Sequence, residues 1–285
     1  MIQGSGVRSN TAVSRGQAMI KRSFPREGRE HVALGSQLRH VPCVVTIGVR
    51  PNLEDYRPWE MDLIERAQKI YFPTLLYADT LSAMGKTTFP SVHSYRHLGD
   101  KIKQTHLFQI LGLPMPYTRL YYGQNKEEKI LNEFAFPFIG KVPRGSSRGD
   151  GIYLIRDSKD LHSYLNQTPV GYIQQYVPLG RDIRVVILGK RIVHAYWRKA
   201  GPGEFRTNVA KGGRPCAEPV PGDALELALQ TALCCGFDHV GLDLCEDQGR
   251  FLVFEANMVF GEEGFKAAGL DYKEILKELV ETGEV

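Results

Sequence analysis

The sequence predicts a mixed α/β and α+β fold built from two or three structural units, and three observations lead to this prediction. The chain has 285 residues, about twice the usual length of one domain. Segments with strand and helix periodicity alternate along most of it, and two pairs of alternating segments flank glycine-containing turns. With 42% hydrophobic and 24% charged residues, the composition excludes fibrous, collagen-like and wholly disordered proteins.

The positive charge is concentrated at the start of the chain. Residues 1–40 hold seven Arg and Lys against two Glu, a net charge of +5, whereas the other 245 residues sum to −1. This segment lacks helix or strand periodicity, so we expect a flexible basic arm over 1–40, with Met19 as an alternative start. Contact with RNA or the ribosome would have to involve this arm, in which only one Phe, Trp or Tyr residue, Phe24, lies among the charges.

The cysteines and the hydropathy pattern predict a cytoplasmic protein. None of the five cysteines forms a CxxC pair, and an odd number at irregular spacing is typical of reduced thiols rather than of a disulfide or zinc framework. No apolar run approaches the roughly 18 residues that a membrane span needs. The first residues also lack the apolar region of a secretory signal.

Hydrophobic periodicity divides the body of the chain into three units. We expect a small α/β domain over 41–99, an α+β lobe over 100–180 and a second lobe over 181–285. In the first unit we expect a strand at 41–49, a helix at 62–70, a strand at 70–77 and a helix at 79–86. In the second we expect a helix from 100, strands at 118–122, 136–142, 152–156 and 172–177, and helices at 126–134 and 158–166. In the third we expect a hairpin around Gly189-Lys190, a loop at 199–221, a helix at 223–236, a second hairpin and a helix at 272–283.

The second hairpin, VGLDLCEDQGRFLVFEANM, has the strongest chemical pattern. A turn at 248–250 places Asp243 opposite Glu255, and residues two apart on a strand share a face. On this basis one face carries Gly241, Asp243, Cys245, Val253, Glu255 and Asn257, and the core face carries Leu242, Leu244, Leu252 and Phe254. Opposed carboxylates repel each other, so a cation should lie between them. An all-oxygen set suits Mg²⁺ or Mn²⁺, although a solvated polar face is an alternative.

Two further segments carry positive charge next to glycine. In FPFIGKVPRGSSRGDGIYLI a strand delivers Lys141 to the loop 144–151, where glycines such as Gly145 and Gly149 let backbone N–H groups approach an anion. The loop lacks P-loop spacing, so an ordinary mobile loop is the alternative. In WRKAGPGEFRTNVAKGG a strand end and a loop bring together cationic groups suited to a transferring phosphoryl group, with a solvated charged loop as the alternative.

In this order, the segments resemble the ATP-grasp superfamily. The resemblance is closest to its RimK-type branch, which comprises the enzymes that add glutamate to a ribosomal protein and the relatives of those enzymes. The resemblance covers about residues 98–283 and is carried by DKIKQTHLFQILGLPMPYT, FIGKVPRGSSRGDGIYL, YIQQYV, GRDIRVVILGKRIVHAYWRKA, EFRTNVAKGG, HVGLDL and FEANMVFGEEGF. It implies an ATP-grasp fold, in which two α+β lobes clasp ATP, preceded by the small N-terminal domain.

The resemblance also implies roles for individual residues and a cofactor set of ATP with two Mg²⁺ or Mn²⁺ ions. The roles are phosphate binding by Lys101 and Lys141, adenine pairing by Gln175 and Tyr176, ribose binding by Asp182, a lid containing Gly145 and Gly149, phosphate contacts by Arg206, Thr207 and Asn208, and metal binding by Asp243, Glu255 and Asn257. The family usually has Glu at position 175 and a small residue with Pro after Asn257, where this chain has Met258-Val259-Phe260. The acceptor substrate is therefore expected to differ from the acceptors of the RimK-type enzymes.

The activity that the resemblance implies is ATP-dependent carbon–nitrogen ligation through an acyl phosphate. Lys141 and Arg206 would be the catalytic groups that offset charge on the transferred phosphoryl group. An amino acid such as glutamate would be joined to a small-molecule, peptide or protein acceptor, and related enzymes commonly self-associate. The alternatives are a phosphotransferase that stops at a phosphorylated product and a non-catalytic nucleotide-binding protein.

Overall fold

The computed structural model describes residues 31–145, 151–201, 213–216 and 218–285. In these residues thirteen strands form three sheets, and nine α-helices pack against them. None of the helices described is long and apolar enough to span a bilayer. The strands are β1 His31–Ala33, β2 Val44–Thr46, β3 Lys69–Tyr71, β4 Thr87–Phe89, β5 Thr118–Tyr121, β6 Phe138–Lys141, β7 Ile152–Ile155, β8 Gly171–Gln175, β9 Arg181–Leu188, β10 Arg191–Lys199, β11 Arg214–Cys216, β12 His239–Asp247 and β13 Arg250–Asn257. The helices are α1 Pro58–Arg66, α2 Leu75–Ala83, α3 Val92–His97, α4 Lys101–Ile110, α5 Lys126–Glu133, α6 Ser158–Leu165, α7 Gly222–Cys235, α8 Glu263–Ala267 and α9 Tyr272–Glu281.

The first sheet is parallel, with the strand order β2-β1-β3-β4. Its central strand β1 lies within the segment that we expected to be a flexible arm, and that expectation is wrong for residues 31–40. Val32, Ala33 and Leu38 are at most 1% exposed, and Ala33 and Leu38 belong to one apolar cluster with Tyr71. A three-residue strand is too short to produce a visible alternation, so the sequence pattern gave no sign of it.

The strand predicted at 70–77 is also wrong in its second half. Strand β3 ends at Tyr71, and α2 begins at Leu75, where the Thr74 side chain accepts a hydrogen bond from the backbone N–H of Tyr77. This cap satisfies an N–H that the first turn of a helix leaves unpaired. A short apolar run fits a strand or a helix equally well, and here the cap and the following residues decide in favour of the helix.

The second sheet is antiparallel, with the order β5-β8-β6-β7, and α5 and α6 cover one face. Ile130 and Leu161 of the helices pack there against Phe138 and Ile155 of the strands, all at most 1% exposed. The elements predicted between residues 118 and 177 are confirmed to within about two residues. The opposite face of this sheet holds Lys141 and Tyr172.

The third sheet has the order β11-β10-β9-β12-β13 and packs one face on α7. Ala224, Ala228 and Ala232 bring the helix close to Val185 and Leu242 of the central strands. These alanines recur every four residues, which places them on one face of the helix. Because alternate residues of β9 and β12 point away from this core, Asp182, Arg184 and Asp243 lie on the other face of the sheet.

The last helix joins the third unit to the first sheet. Leu276, Leu279 and Val280 of α9 lie in the same apolar cluster as Ala33 and Tyr71. The Tyr71 hydroxyl donates a 2.8 Å hydrogen bond to the backbone carbonyl of Val285. The N-terminal strands and the C-terminal helix therefore share one core.

His239, the first residue of β12, is buried where this shared core meets the third sheet. Its Nδ1 donates to the Met258 carbonyl at 3.1 Å, and its Nε2 accepts from the Tyr272 hydroxyl at 2.8 Å. The rings of Phe72, Phe89 and Phe260 lie 5.0–5.9 Å from it. Burial in these apolar surroundings lowers the pKa of His239 to about 4.

We predict that His239 makes the protein less stable in acid. The unfolded imidazole takes up a proton below about pH 6.5, and the buried one does not until about pH 4, so between these values stability falls as pH falls, by about 3 kcal/mol in all. Urea unfolding of a His239→Phe variant should show a pH slope that is smaller by one proton in this range. His106→Phe, at an exposed position of α4, is the control. An equal slope in the two variants would contradict the assignment.

Candidate functional site

The β12–β13 hairpin places Asp243 opposite Glu255, as predicted. The turn differs from the expected one, because Asp247 pairs with Arg250 and only Gln248 and Gly249 lie between the strands. Both have positive φ, 49° and 75°, as a two-residue turn of type I′ requires. This shorter turn alone would place Asp243 opposite Phe254.

A β-bulge restores the predicted pairing. The register shifts between Asp243 and Leu244, so that Leu244 pairs with Val253 and Phe254 is the extra residue. Val253 is fully buried in the core with α7, which contradicts its predicted place beside Asp243. Leu252 and Phe254, which we predicted on the core face, are also misplaced: Leu252 pairs with Cys245, and the Phe254 ring lies 5.6 Å from Lys141 Nζ.

Asp243 is 1% exposed and is neutralised by two arginines from neighbouring strands. Arg184 donates to both carboxylate oxygens of Asp243, and Arg198 Nη2 lies 3.1 Å from Oδ1. Burial alone would raise the pKa of Asp243, but the two guanidinium groups outweigh it and lower the pKa. The carboxylate is therefore held in its ionised form, which is the form that binds a metal ion.

Arg198 also binds Asp182, so the four side chains form a continuous buried network. Arg198 donates to both oxygens of Asp182, which is 0% exposed. The carboxylate of Asp182 is thus enclosed and bidentately paired in this structure, and its ribose-binding role stays a prediction. Arg198, which we grouped with the phosphoryl-binding cations, is likewise part of this network.

The third metal-ligand candidate, Asn257, lies beside Asp243. Its Nδ2 donates to Asp243 Oδ2 at 3.1 Å. An amide that donates through nitrogen leaves its oxygen for a metal ion. Among the described residues no group of three His, Cys, Asp or Glu side chains could hold a metal, so any site here depends on the Asn257 carbonyl in addition to the two carboxylates.

The two predicted phosphate lysines converge on Glu255 from different elements. Lys101, the first residue of α4, has its Nζ 3.1 Å from Glu255 Oε1. Lys141, at the end of β6, is 3% exposed, and its Nζ lies 3.5 Å from the Phe254 carbonyl. Burial lowers the pKa of Lys141 to about 8, with Glu255 opposing and Lys101 adding to the shift.

The other predicted nucleotide contacts are only partly within the described residues. Gln175 ends β8, and its N–H is donated to the Tyr117 carbonyl, so this group is not open to adenine. Tyr176 follows it and is half-buried. Gly145 has a φ of 70°, and it follows Arg144, which pairs with Asp100 at 2.8 Å. Gly149, Arg206, Thr207 and Asn208 lie outside the described residues.

Arg184 and Gln104 were not predicted from the sequence. Arg184 had a signal, because DIRVV places two charged residues at alternate positions of an otherwise apolar strand, where only a buried ion pair tolerates them. Gln104 had none, since a glutamine within a helix is ordinary. Its carboxamide bonds both backbone groups of Ala256, between Glu255 and Asn257.

We predict that Arg198 is essential for stability, unlike its neighbour Lys199. Arg198→Leu should lower the free energy of unfolding by about 3–5 kcal/mol, because it removes the bidentate partner of the buried Asp182 and one of the two arginines that neutralise Asp243. Lys199→Leu breaks an exposed pair with Glu218 and should leave the free energy of unfolding nearly unchanged. Urea unfolding of both variants measures the difference, and equal losses would refute the network's role.

The chain is similar to known proteins in sequence and in fold. A family model described as the RimK-like ATP-grasp domain matches residues 98–280. The chain is 32% identical over 180 residues to beta-citrylglutamate synthase B of Danio rerio, covering 59% of this chain and 44% of that protein. It is 34% identical over 170 residues to human N-acetylaspartylglutamate synthase A, covering 56% of this chain and 43% of that protein. The matched region thus spans less than half of these curated relatives.

A solved structure shows the same fold. The ATP-grasp ligase PsnB, complexed with a minimal precursor, Mg and ADP, superposes with a TM-score of 0.64 at 14% identity, covering 90% of this chain and 99% of that one. At this identity the likeness concerns the fold alone, and it confirms the predicted α+β ATP-grasp architecture.

Proposed function

The chain belongs to the RimK-like ATP-grasp family, and on that premise we propose that it is an ATP-dependent carboxylate–amine ligase. The observation that carries the proposal is the convergence of Lys101 and Lys141 on a hairpin bearing Asp243, Glu255 and Asn257. Positive groups for phosphates and an oxygen donor set for a divalent cation meet there, from two different sheets and a helix.

The donor set fits Mg²⁺. Two carboxylates and an amide oxygen are the hard ligands that this ion prefers, and Mg²⁺ usually completes its shell with water and substrate phosphates. In the structure Asp243 pairs with Arg184, and Glu255 pairs with Lys101. When bound, the metal would neutralise charge on the phosphates.

Each group of the chain then has a task in acyl phosphate formation. Lys101 and Lys141 bind phosphate oxygens and offset the negative charge on the transferred phosphoryl group, a role that we also assign to Arg206. We further propose Thr207 and Asn208 as phosphate contacts and Tyr176 as the adenine contact. The phosphorylated carboxylate loses phosphate when an amine attacks it, and an amide forms. No protein nucleophile is required, since positioning and charge account for the catalysis.

We propose an amino acid such as glutamate as one substrate, because the products named in two relatives contain glutamate. The acceptor would be a small molecule, a peptide or a protein. Residues 100–180 and 181–285 would be the lobes that close on the nucleotide, with 144–151 as the lid. The neighbouring Met258, Val259 and Phe260 are candidates for acceptor selection.

We also propose partners and a compartment for the protein. The basic residues of 1–30 would contact RNA or the ribosome, self-association would give a homo-oligomer, and the cytoplasm would be the compartment. RNA binding that weakens steeply with salt and disappears when residues 1–30 are deleted would support the first of these.

The test of the activity is ADP and phosphate release with Mg²⁺-ATP across a panel of amino acids and short acidic peptides, with products weighed by mass spectrometry. A ligase gives substrate-dependent ADP and a product equal in mass to both reactants minus water. A product that is heavier by one phosphate would replace the ligase with a phosphotransferase. ATP binding without turnover on any substrate would favour a binding protein.

We predict that Asp243→Asn and Glu255→Gln each reduce turnover by at least about 10²-fold, because either change removes an anionic metal ligand. Asp247→Asn, at the turn end of the same hairpin, is the matched control and should retain activity. Near-parental turnover in both ligand variants, at saturating Mg²⁺, would refute the metal assignment.

A second pair of variants tests the phosphate lysine on α4. Lys101→Met should raise the KM for ATP and lower kcat about 10²-fold or more, since its ammonium group acts on charge that develops during transfer. Lys103→Met, two residues along at an exposed position, should change neither value by more than about twofold. Similar losses in both would mean that the helix, and not the lysine, is responsible.

A further inference from the structure

Strand β13 carries two of the three metal-ligand candidates although it is the last strand of its sheet. On one side it pairs with β12, and none of the strands in the described residues pairs with its outer side. In an antiparallel pair, alternate residues direct both backbone groups outward. Ala256, between Glu255 and Asn257, is such a residue. An edge of this kind ordinarily moves more than a central strand and leaves polar groups to be satisfied.

Gln104 of α4 occupies this outer side at Ala256. Its Nε2 donates to the Ala256 carbonyl at 2.8 Å, and its Oε1 accepts from the Ala256 N–H at 3.2 Å. The same Nε2 donates to the His97 carbonyl at 3.0 Å. The side chain is 5% exposed. A carboxamide offers an N–H donor and a carbonyl acceptor, as a peptide group does. Gln104 therefore makes the two hydrogen bonds to Ala256 that a residue of a neighbouring strand would make.

We propose that Gln104 is a positioning residue for the metal site, an inference that rests on the proposed function. By holding both backbone groups of Ala256, it fixes the strand from which Glu255 and Asn257 project. Lys101 lies one turn earlier on the same helix and pairs with Glu255. The helix thereby sets the distance between the phosphate lysine and the metal ligands.

The chemistry of the contact explains why other residues cannot replace Gln104. Glutamate would place a carboxylate oxygen against the Ala256 and His97 carbonyls, where only a donor is accepted. Methionine has similar length but neither group, and it would leave the Ala256 N–H and carbonyl buried without partners. Asparagine keeps the amide but is one methylene too short for both bonds.

The expected consequence is a weaker metal site in a folded protein. With the clamp removed, the carboxylate of Glu255 and the amide of Asn257 would no longer be held at a fixed separation from Asp243. Binding of the metal would then include the cost of ordering this strand. Nucleotide binding without metal depends on groups outside β13, such as Lys101 and Lys141, and should be retained.

The test measures metal affinity directly on the full chain. Mn²⁺ is titrated into the protein saturated with a non-hydrolysable ATP analogue, and the free ion is followed by electron paramagnetic resonance. We expect Gln104→Met and Gln104→Glu to bind Mn²⁺ about tenfold more weakly, with binding of the analogue in EDTA within twofold of the parent. The control is Gln109→Met on the same helix, which loses a single hydrogen bond to the Thr118 carbonyl of β5. This variant should bind Mn²⁺ as tightly as the parent.

The readout separates positioning from a merely structural role. A structural role lowers the melting temperature and leaves Mn²⁺ affinity within twofold of the parent, and that result would overturn the proposal. So would a parent protein that does not bind Mn²⁺ with the analogue. Should Gln104→Met fail to fold, Gln104→Asn is judged by the same criterion. A loss of Mn²⁺ affinity in a protein that catalyses no ligation would sustain the role of Gln104 and refute the ligase instead.

Discussion

The buried charge network of Asp182, Arg198, Asp243 and Arg184 is the constraint on which the site depends. Two carboxylates and two guanidinium groups are enclosed on one face of the third sheet, and each acid is neutralised by at least one arginine. Desolvating such groups is costly, and the cost is offset only when all partners are present, so an arrangement of the three central strands that separated these pairs would be unfavourable. That arrangement sets the direction of Asp243 and, through the hairpin, of Glu255 and Asn257. Electrostatics, rather than apolar packing, therefore organises this face.

Helix α4 is the element that relates the two lobes to each other. Its residues Lys101 and Gln104 contact β13 of the third sheet, whereas the Thr105 hydroxyl and the Tyr172 hydroxyl of β8 lie 2.6 Å apart. At its N-terminus, Asp100 pairs with Arg144 at the base of the glycine-rich loop. One helix of ten residues thus contacts the loop, the second sheet and the metal-ligand hairpin. A shift of this helix would alter the phosphate and metal groups together, so its position is a sensitive determinant of the site.

Much of the fold was predictable from the sequence, because the second and third sheets have long strands with clear alternation and helices with clear ends. The pairing of Asp243 with Glu255 was also predicted, but through a different turn and without the bulge at Phe254, since a bulge leaves no mark on hydrophobic periodicity. The strand β1 was not predicted because three residues are too few to show alternation. The start of α2 at Leu75 was not predicted because the short apolar run over 70–77 fits a strand as well as a helix. The pairing of Asp182 with Arg198 was not predicted, because a motif shows which residue is present and not which partner encloses it. Gln104 needed coordinates, since its partner is a backbone group 152 residues away.

The bulge at Phe254 has a consequence for how the hairpin varies in length. With residue 254 removed, Val253 opposite Leu244 and Glu255 opposite Asp243 would follow each other as an uninterrupted ladder. For sheet formation, then, residue 254 is a surplus position, an insertion that strand pairing does not call for. What it adds is a ring and a carbonyl group beside Lys141. A chain without residue 254 would therefore keep the strand pairing of the hairpin and lose the aromatic ring beside Lys141.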